Sequence, residues 1–466
     1  MLFELKSFPE FRHLNKERNH VVFDENSSRL LLVDDHLLTV LLNIQSLEEE
    51  GLAELRRKHG QTDALEIAVK TMQELVNARV LKPKSTTEPQ LTVGIKGHEP
   101  RINFMLLNVS MACQLACKYC FAEGGHYGRP EHQTIMSWDV AKAAIDMMDF
   151  RDVEGYSIAV GFFGGEPLMN WDVIENSIRY VKQITAEYKL TRVAFNMTTN
   201  GIGLTSERAK FLLDNDCRPM ISIDGCESTH NSMRPAKASD LNSWKSSVQG
   251  YETWLSLGGP PLTVRATITA KDTDVVSMNN LFRGIGFGAI NSQLVQTEDP
   301  DLKLSLQQLH QFEGQQIALL NDDVTKSTDL RRVFDALRQA HPRTRFCGVG
   351  HSGYAVQPNG DIFLCHRFAT DDTFKIGHVS RGLDSGVLDR FTGWSTNSSP
   401  SCFRCWARHI CGGGCYAENY FATGDPVSPN PERCYLTKSM LYHSIEFLVQ
   451  NSDNIPTLPL QSIPEC

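Results

Sequence analysis

Three closely spaced cysteines limit the possible folds most, because they come directly after an apolar run. Cys113, Cys117 and Cys120 have the spacing C-x3-C-x2-C. The apolar run at 102–109 predicts a strand, and the cysteines then lie at its carboxyl end. Three thiolates in this arrangement can bind three irons of a four-iron cluster and leave the fourth iron open.

A zinc site, or a set of buried structural cysteines, is the alternative interpretation of this motif. A closed zinc site needs a fourth protein ligand. His126 and His132 lie close enough in the sequence to supply it.

The composition restricts the class of protein. The 466 residues are enough for two or three domains, and the net charge of -9 gives no reason to expect nucleic acid as a partner. No apolar run approaches the length needed to span a membrane. The chain begins without an export signal, so its 13 clustered cysteines indicate metal ligation in a reducing cytoplasm rather than disulfides.

Residues 100–320 alternate short apolar runs with longer amphipathic segments. This alternation predicts an α/β fold with a parallel sheet and outer helices. Reactive groups of such folds gather at the carboxyl ends of the strands. The predicted strands are 102–109, 157–163, 192–198, 219–223, 262–269 and 289–295.

The cysteine spacing, with the aromatic Tyr119 before the last cysteine, resembles the signature of the radical S-adenosylmethionine (SAM) enzymes. The six strands resemble the partial (β/α)6 barrel of that family. The resemblance implies that Cys113, Cys117 and Cys120 are the catalytic ligands of a [4Fe-4S] cluster whose open iron binds SAM. An electron from the cluster would then cleave SAM to a 5'-deoxyadenosyl radical. Tyr119 would belong to the surroundings of this cofactor.

Further motifs resemble the SAM pocket of the family, and each stands near the end of a predicted strand. For each motif alone, a solvated surface is the alternative. Ser222 would contact the ribose or carboxylate end of SAM, and Arg265, expected at a strand end, would bind the carboxylate through a bidentate fork. The other cofactor-binding residues that the resemblance implies are Gly164, Gly165, Glu166 and Pro167 of a GGEP motif, Thr199 and Asn200 of a T-N-G turn, Asp224 of an S-I-D-G segment, and Arg234, which with His230 forms an H-x3-R motif.

The C-terminal region carries seven cysteines whose spacing resembles the SPASM extension of radical SAM enzymes. The resemblance implies two auxiliary [4Fe-4S] clusters, in addition to the SAM-binding cluster. Structural zinc is again the alternative, because C-x2-C pairs also hold zinc. The nearer auxiliary cluster would be ligated by Cys347, Cys365 and Cys415, and the distal one by Cys402, Cys405, Cys411 and Cys434.

The resemblance implies only three cysteine ligands for the four irons of the nearer auxiliary cluster, because residues 348–354, which follow Cys347, contain no further cysteine. An open iron there could bind the thiolate of a substrate peptide. The alternatives for a fourth ligand are His351, His366, Cys217, Cys226 and Cys466. Cys217 and Cys226 are otherwise expected in the core or lining a pocket, and Cys466 ends a polar tail.

Residues 1–90 are expected to form a separate unit that ends in a polar linker at 82–89. Its pattern resembles the winged-helix-like leader-recognition domains of peptide-modifying radical enzymes, and a structural cap is the alternative. The resemblance implies that a leader peptide adds a strand to the edge of a hairpin. The hairpin is predicted at 20–23 and 29–33 around a polar turn at 24–28, with helices at 35–47 and 64–80.

The predicted order is a recognition domain at 1–90, a radical SAM core at 100–320, a bridging and SPASM region at 321–450 and a tail at 451–466. The resemblance implies an enzyme that modifies a ribosomal precursor peptide or a small protein subunit with a leader sequence, and that receives electrons from a flavodoxin or ferredoxin. A thioether between a cysteine sulfur and a carbon is the expected product. Such enzymes include thioether-forming peptide maturases and the maturation protein of quinohemoprotein amine dehydrogenase.

Three alternatives to thioether formation stay open. The same radical chemistry can form carbon–carbon cross-links, or oxidise a residue to formylglycine. Formylglycine-forming relatives typically carry an aspartate next to the second SPASM cysteine, whereas this chain has His366 there. A non-catalytic scaffold that holds zinc is the alternative from a different class.

Overall fold

The computed structural model describes residues 5–8, 19–25, 28–43, 49–78, 80–81, 100–128, 135–151, 157–188, 193–323, 327–339 and 342–451. The predicted linker at 82–89, His132 and the tail with Cys466 lie outside these residues. Among the residues described, no helix combines the length and the apolar character that crossing a membrane requires.

The N-terminal residues form a three-stranded antiparallel sheet with three helices. The predicted hairpin is confirmed as β2 and β3, and β1 pairs with the free side of β2. The resemblance implies three helices in this unit, but the sequence did not place α2, because its residues are mostly charged. The elements are β1 (Leu5–Phe8), β2 (Asn19–Asp24), β3 (Arg29–Asp34), α1 (Asp35–Asn43), α2 (Glu49–His59) and α3 (Asp63–Asn77).

All six strands predicted for residues 100–320 are present, parallel and in sequence order. They are β4 (Phe104–Ser110), β5 (Ile158–Gly164), β6 (Val193–Thr199), β7 (Arg218–Ser222), β8 (Thr263–Ile268) and β9 (Ala289–Leu294). The helices between them are α4 (Trp138–Asp146), α5 (Trp171–Glu187), α6 (Ser206–Asp214), α7 (Glu227–Met233), α8 (Ser243–Ser256) and α9 (Val275–Ile285).

Alternation along the strands separates an apolar face from a polar one. On β8, Val264, Ala266 and Ile268 are buried in the main core. Thr263 and Arg265 therefore point to the opposite face, the concave interior of the sheet. The interior face of β8 is therefore polar.

The C-terminal residues extend the same sheet beyond β4. β10 (Gly353–Val356) pairs with β4 in parallel, and β11 (Asp361–Phe363), β12 (Lys375–His378) and β13 (Gly382–Leu383) follow as antiparallel strands. The predicted turn at 359–361 joins β10 to β11, with Gly360 at φ +90°. The helices are α10 (Leu306–Asp323), α11 (Thr328–Gln339), α12 (Ser385–Leu388), α13 (Pro400–Phe403), α14 (Arg408–Cys411), α15 (Tyr416–Thr423) and α16 (Pro431–Gln450).

The N-terminal sheet packs on the rest of the molecule through one face of β2. Val21 and Phe23 belong to the main core, and the Phe23 ring meets the Trp406 ring edge-on at 6.1 Å between centroids. The other face of the sheet carries Val22 and Val33 into a small core with α1 and α3.

Candidate active site

Backbone hydrogen bonds hold the loop with the first three cysteines on two sides. On one side, the amides of Gly165 and Glu166 donate to the carbonyls of Ser110 (2.7 Å) and Ala112 (2.9 Å). On the other, the amide of Lys118 donates to the carbonyl of Met233 at 3.0 Å, in the segment after α7. The loop conformation therefore depends on β5 and on α7, which lie far away in the sequence.

Glycines let the loop after β5 pack directly on the cysteine loop. A Cβ atom on Gly164, whose φ is +134°, would lie 2.0 Å from the carbonyl oxygen of Ser110. One on Gly165 would lie 2.6 Å from the carbonyl oxygen of Ala112. The two glycines of the GGEP motif thus permit close contact between two loops.

The first cysteine group fits a cationic cluster by its chemistry. Burial, together with the negative charges of neighbouring groups, raises the pKa of Cys113 to about 11 and that of Cys117 to about 12. Buried thiols of this kind become thiolates when a cation binds them. Among the residues described, no group of three or more His, Cys, Asp or Glu side chains is placed to hold a single metal ion.

Glu166 is a buried brace between the loops that follow β5 and β6. Its Oε1 accepts hydrogen bonds from the Thr199 hydroxyl at 2.6 Å and the Leu168 amide at 3.0 Å, and its Oε2 accepts one from the Asn200 amide at 2.7 Å. Burial raises the pKa of Glu166 to about 7, although these donors oppose the shift. A carboxylate has about four acceptor positions, so one remains for a further donor such as the ammonium group of SAM.

Asn200 connects this brace to the first cysteine. Its Nδ2 lies 3.3 Å from Oε1 of Gln114 and 3.9 Å from Sγ of Cys113. Pro167 begins a short 3-10 helix in which Glu166 is the capping residue. Glu166 therefore links Thr199 and Asn200, at the end of β6, to the cysteine loop. Their position at a strand end predicts this place.

Asp224 and Arg234 form a buried bidentate ion pair. The Arg234 guanidinium donates from Nε at 2.9 Å and from Nη2 at 3.0 Å. The Tyr119 hydroxyl and the Thr267 amide donate to the same carboxylate. Arg234 also lies over the Tyr119 ring, 5.4 Å from its centroid. The pKa of Asp224 is lowered by Arg234 despite burial, so the carboxylate stays ionised and holds Tyr119, and with it the cysteine loop.

His230 is fully buried behind this pair. Its Nδ1 accepts a hydrogen bond from the Asp224 amide at 3.1 Å, while its Nε2 has no partner among the described residues. Burial lowers the pKa of His230 to about 3, so the ring is neutral and acts as an acceptor. The H-x3-R motif thus supports the S-I-D-G segment.

Arg265 lies in the middle of β8, and its expected position at the end of that strand is wrong. The register explains the difference: β7 ends at Ser222, which is paired with Arg265. The two residues therefore stand side by side facing the interior. In the described part of the chain, the Arg265 guanidinium makes no hydrogen bond or ion pair, which fits an arginine that binds the carboxylate of a ligand.

The structure brings the seven C-terminal cysteines into two groups, and within each group the thiols act on one another's pKa values. In the nearer group, burial and the charges of Cys415 and Cys347 raise the pKa of Cys365 to about 12. In the distal group, burial and the charges of Cys411 and Cys402 raise the pKa of Cys434 to about 11. The charge of the remaining distal thiol, Cys405, also raises the pKa values of Cys402, Cys411 and Cys434.

The candidates for a fourth ligand of the nearer group differ in position. His366 follows Cys365, with Nδ1 3.5 Å from its Sγ, and its ring packs on Phe163 at 4.5 Å between centroids. Cys217 is a buried core residue, as predicted. Cys226 is exposed beside Ser228, so its prediction as a core residue is wrong.

Sequence reasoning missed two contributions to the site. The first is Gly125, whose Cβ atom would lie 2.1 Å from the carbonyl oxygen of Met111. The second is Arg367, which donates to Glu418 at 2.9 Å and lies 3.5 Å from Sγ of Cys415. The paired glycines 124–125 directly after the motif could have signalled the first, whereas no local pattern marks the second.

Comparison with known proteins agrees with this geometry. The sequence model of the radical SAM superfamily matches residues 107–274. The mycofactocin maturase of Mycobacterium ulcerans is 27% identical over 358 residues, covering 70% of this chain and 85% of that protein.

Two solved structures share the fold. One is described as native anSMEcpe with bound AdoMet and Cp18Cys peptide, with a TM-score of 0.62, 17% identity, and coverage of 76% of this chain and 100% of that one. The other is Streptococcus suis SuiB bound to precursor peptide SuiA, with a TM-score of 0.50, 14% identity, and coverage of 93% and 99%. The chain therefore carries a radical SAM domain at residues 107–274, and this domain implies an enzyme that uses SAM and a [4Fe-4S] cluster.

Proposed function

We propose that this enzyme matures a ribosomal peptide or a small protein subunit by joining a cysteine sulfur to a carbon of another residue. The observation that carries the proposal is the nearer cysteine group, which has three thiols beside the polar interior of the sheet. The similarity to a mycofactocin maturase, and to folds solved with peptides bound, supports a peptide as substrate.

The residues of the interior have distinct tasks in this proposal. Cys113, Cys117 and Cys120 hold the SAM-binding cluster, which when loaded supplies the radical that removes hydrogen from carbon. Arg265 binds the carboxylate of SAM, and the free acceptor position of Glu166 binds its ammonium group.

Aromatic side chains pack together beside the first and the nearer cysteine groups. Phe121, which follows Cys120, packs on Phe163 at 6.3 Å and on His366 at 5.7 Å between centroids, and 37% of its surface stays exposed. Burial lowers the pKa of His366 to about 3, so this ring adds no charge beside Cys365.

The nearer group gives thioether formation its specificity. Cys347, Cys365 and Cys415 would hold the nearer auxiliary cluster and would leave one coordination position open. That cluster would supply a site for the substrate thiolate and would take up the electron that is released when the carbon radical bonds to the sulfur. Cys402, Cys405, Cys411 and Cys434 hold the distal cluster completely, as a station for electrons exchanged with a flavodoxin or ferredoxin.

The N-terminal unit is proposed to bind the leader of the substrate. In the part of the chain that the structure describes, β1 covers one edge of the hairpin and β3 forms the other edge of the sheet. An extended leader peptide can add to β3 through main-chain hydrogen bonds.

Mass spectrometry of coexpressed peptides tests the proposal. The enzyme is expressed with the small open reading frames that neighbour its gene, and each peptide is examined for a loss of two hydrogens. A thioether removes a free thiol, so the product no longer reacts with iodoacetamide. A product that has lost two hydrogens but still alkylates indicates a carbon–carbon bond, and one without the cysteine sulfur indicates formylglycine. Either result would replace the thioether proposal.

A further inference from the structure

A pocket lined by arginines opens beside the first turns of α11. Its volume is about 320 Å³, and its lining includes Arg331, Arg332 and Arg343, with Asp335 as its carboxylate. We call these residues the arginine pocket. Three guanidinium groups against one carboxylate give the pocket a positive charge, whereas the whole chain has a net charge of -9. Such a local reversal of charge attracts anionic groups.

Two of these arginines lack a carboxylate partner. Within the described residues, neither Arg332 nor Arg343 forms an ion pair, and Arg331 reaches Asp335 only at 3.9 Å. Burial and the charge of Arg343 lower the pKa of Arg332, because the two cations stand close together. The Asp329 carboxylate affects the pKa of Arg332 through its charge, without a hydrogen bond between the two side chains. Two neighbouring guanidinium groups without an acceptor are suited to share one carboxylate.

Contacts fix parts of the arginine pocket. The Arg332 guanidinium lies over the Phe346 ring, 4.2 Å from its centroid. The backbone of Arg343 is fixed by His409, which accepts from the Arg343 amide at 2.8 Å through its carbonyl and contacts the Arg343 carbonyl through Nδ1 at 3.1 Å. Each fixed contact lowers the entropic cost of binding a carboxylate.

The arginine pocket adjoins the interior of the sheet. Thr263 and Thr328 line both the pocket and an interior cavity of about 440 Å³, which also includes Asn196 and Asn291. Asn291 donates from Nδ2 to the Thr328 hydroxyl at 2.7 Å, and its buried Oδ1 has no hydrogen-bond partner among the residues described. A chain passing from the pocket into the cavity would therefore meet a free acceptor suited to a peptide amide.

We propose that the arginine pocket binds an acidic residue of the substrate peptide and so aligns the neighbouring residues with the interior cavity. The inference rests on the proposed function and narrows its substrate to a peptide with carboxylate side chains near the modified position. Charge complementarity carries the choice of partner, since a carboxylate is the group that two adjacent arginines bind through paired hydrogen bonds.

Fluorescence anisotropy with two labelled peptides tests this inference on the full, cluster-loaded chain. One short fluorescein peptide carries three central glutamates, and its analogue carries three glutamines. We expect the wild-type protein to bind the glutamate peptide about tenfold more tightly, which corresponds to about 1.4 kcal/mol. The double variant Arg332→Gln, Arg343→Gln should lose this preference. Arg283→Gln, at an exposed position near the end of α9, should keep it.

Two results would overturn the arginine pocket as a peptide site: equal or absent binding of both peptides by the wild type, or a full preference in the double variant. Visible absorption and iron content confirm that each preparation holds its clusters. A wild type that prefers the glutamate peptide but never cleaves SAM would reject the proposed function alone. One that modifies a peptide yet shows no preference would reject the arginine pocket alone.

Discussion

The first and the distal cysteine groups differ in how many thiols they present and in what holds them. Cys113, Cys117 and Cys120 share one loop, whereas the distal group takes three thiols from residues 402–411 and a fourth from Cys434 in α16. Three thiols leave one iron of a four-iron cluster open and four thiols close it. Under the proposed function, the first group is therefore the reactive centre and the distal group only carries electrons.

The supports of the two groups differ as well. The first loop takes its shape from distant residues, through Tyr119 on Asp224 and through Gly165 on Ala112. The distal group lies on short helices, α13 with Pro400 at its start and α14 with a left-handed Gly412 at its end, and α14 is also hydrogen-bonded to the backbone of Arg343. Substitutions in α7 or in the loop after β5 should therefore disturb the first group and spare the distal one.

The largest expected effect comes from removing the first group altogether. Replacing Cys113, Cys117 and Cys120 by alanine should reduce reductive SAM cleavage to background and remove about four of about twelve irons per chain. Replacing Cys402 and Cys405 by alanine is the matched control, which should lose a similar amount of iron but retain SAM cleavage. Retained cleavage in the triple variant would place the reactive iron elsewhere.

Breaking the buried ion pair should have the next largest effect. Asp224→Asn leaves the Arg234 guanidinium buried without a countercharge, so we expect a loss of about 3–5 kcal/mol in the free energy of unfolding. Urea unfolding followed by tryptophan fluorescence measures this loss. Asp214→Asn, in an exposed pair with Lys210, should change stability by less than about 1 kcal/mol. Equal effects of the two substitutions would contradict the bracing role of Asp224.

A smaller effect is expected where the two loops touch. The methyl group of Gly165→Ala would meet the backbone of Ala112 and Met111, at 2.6 Å and 2.9 Å from their carbonyl oxygens. Because backbone moves less easily than a side chain, the loops should separate at a cost of about 1–3 kcal/mol. SAM affinity, measured by equilibrium dialysis, should fall as the loops separate.

Gly284→Ala provides the control for this substitution. It lies in α9, its methyl group would meet no atom within 4 Å, and alanine is favoured there. If Gly165→Ala bound SAM as well as Gly284→Ala, the contact between the loops would not shape the site.

The sequence predicts the motifs and the strands well, because both depend on local patterns. The six parallel strands follow from apolar runs, whereas the ligand sets of the cysteine groups rest on the family resemblance and stay a prediction. The pairing of β10 with β4 and the network of Arg367 with Glu418 could not be predicted, since they join residues more than fifty positions apart without a shared pattern. The proposed role of Arg265 rests on the same resemblance, and its place beside Ser222 depends on strand register.

The pH dependence of stability distinguishes the buried His230, which supports the first cysteine group, from an exposed histidine. His230 is buried with a pKa of about 3, whereas an unfolded histidine titrates near about 6.5. Below that value the unfolded chain gains a proton that the folded chain cannot take up, so stability falls as pH decreases towards 3. Between about pH 7.5 and about pH 5.5 the loss from this one group should be about 1 kcal/mol.

His230→Asn isolates this contribution, because an asparagine oxygen can replace Nδ1 as the acceptor for the Asp224 amide while it does not titrate. The variant should lose stability at every pH through the smaller side chain, but it should lose about 1 kcal/mol less than the wild type over this interval. His59→Asn, at an exposed position at the end of α2, should follow the wild type. Identical pH profiles for the wild type and His230→Asn would mean that the ring takes up its proton in the folded state. Asp224 would then stand beside a cation rather than a neutral acceptor, and the support of the first cysteine group would have to be built differently.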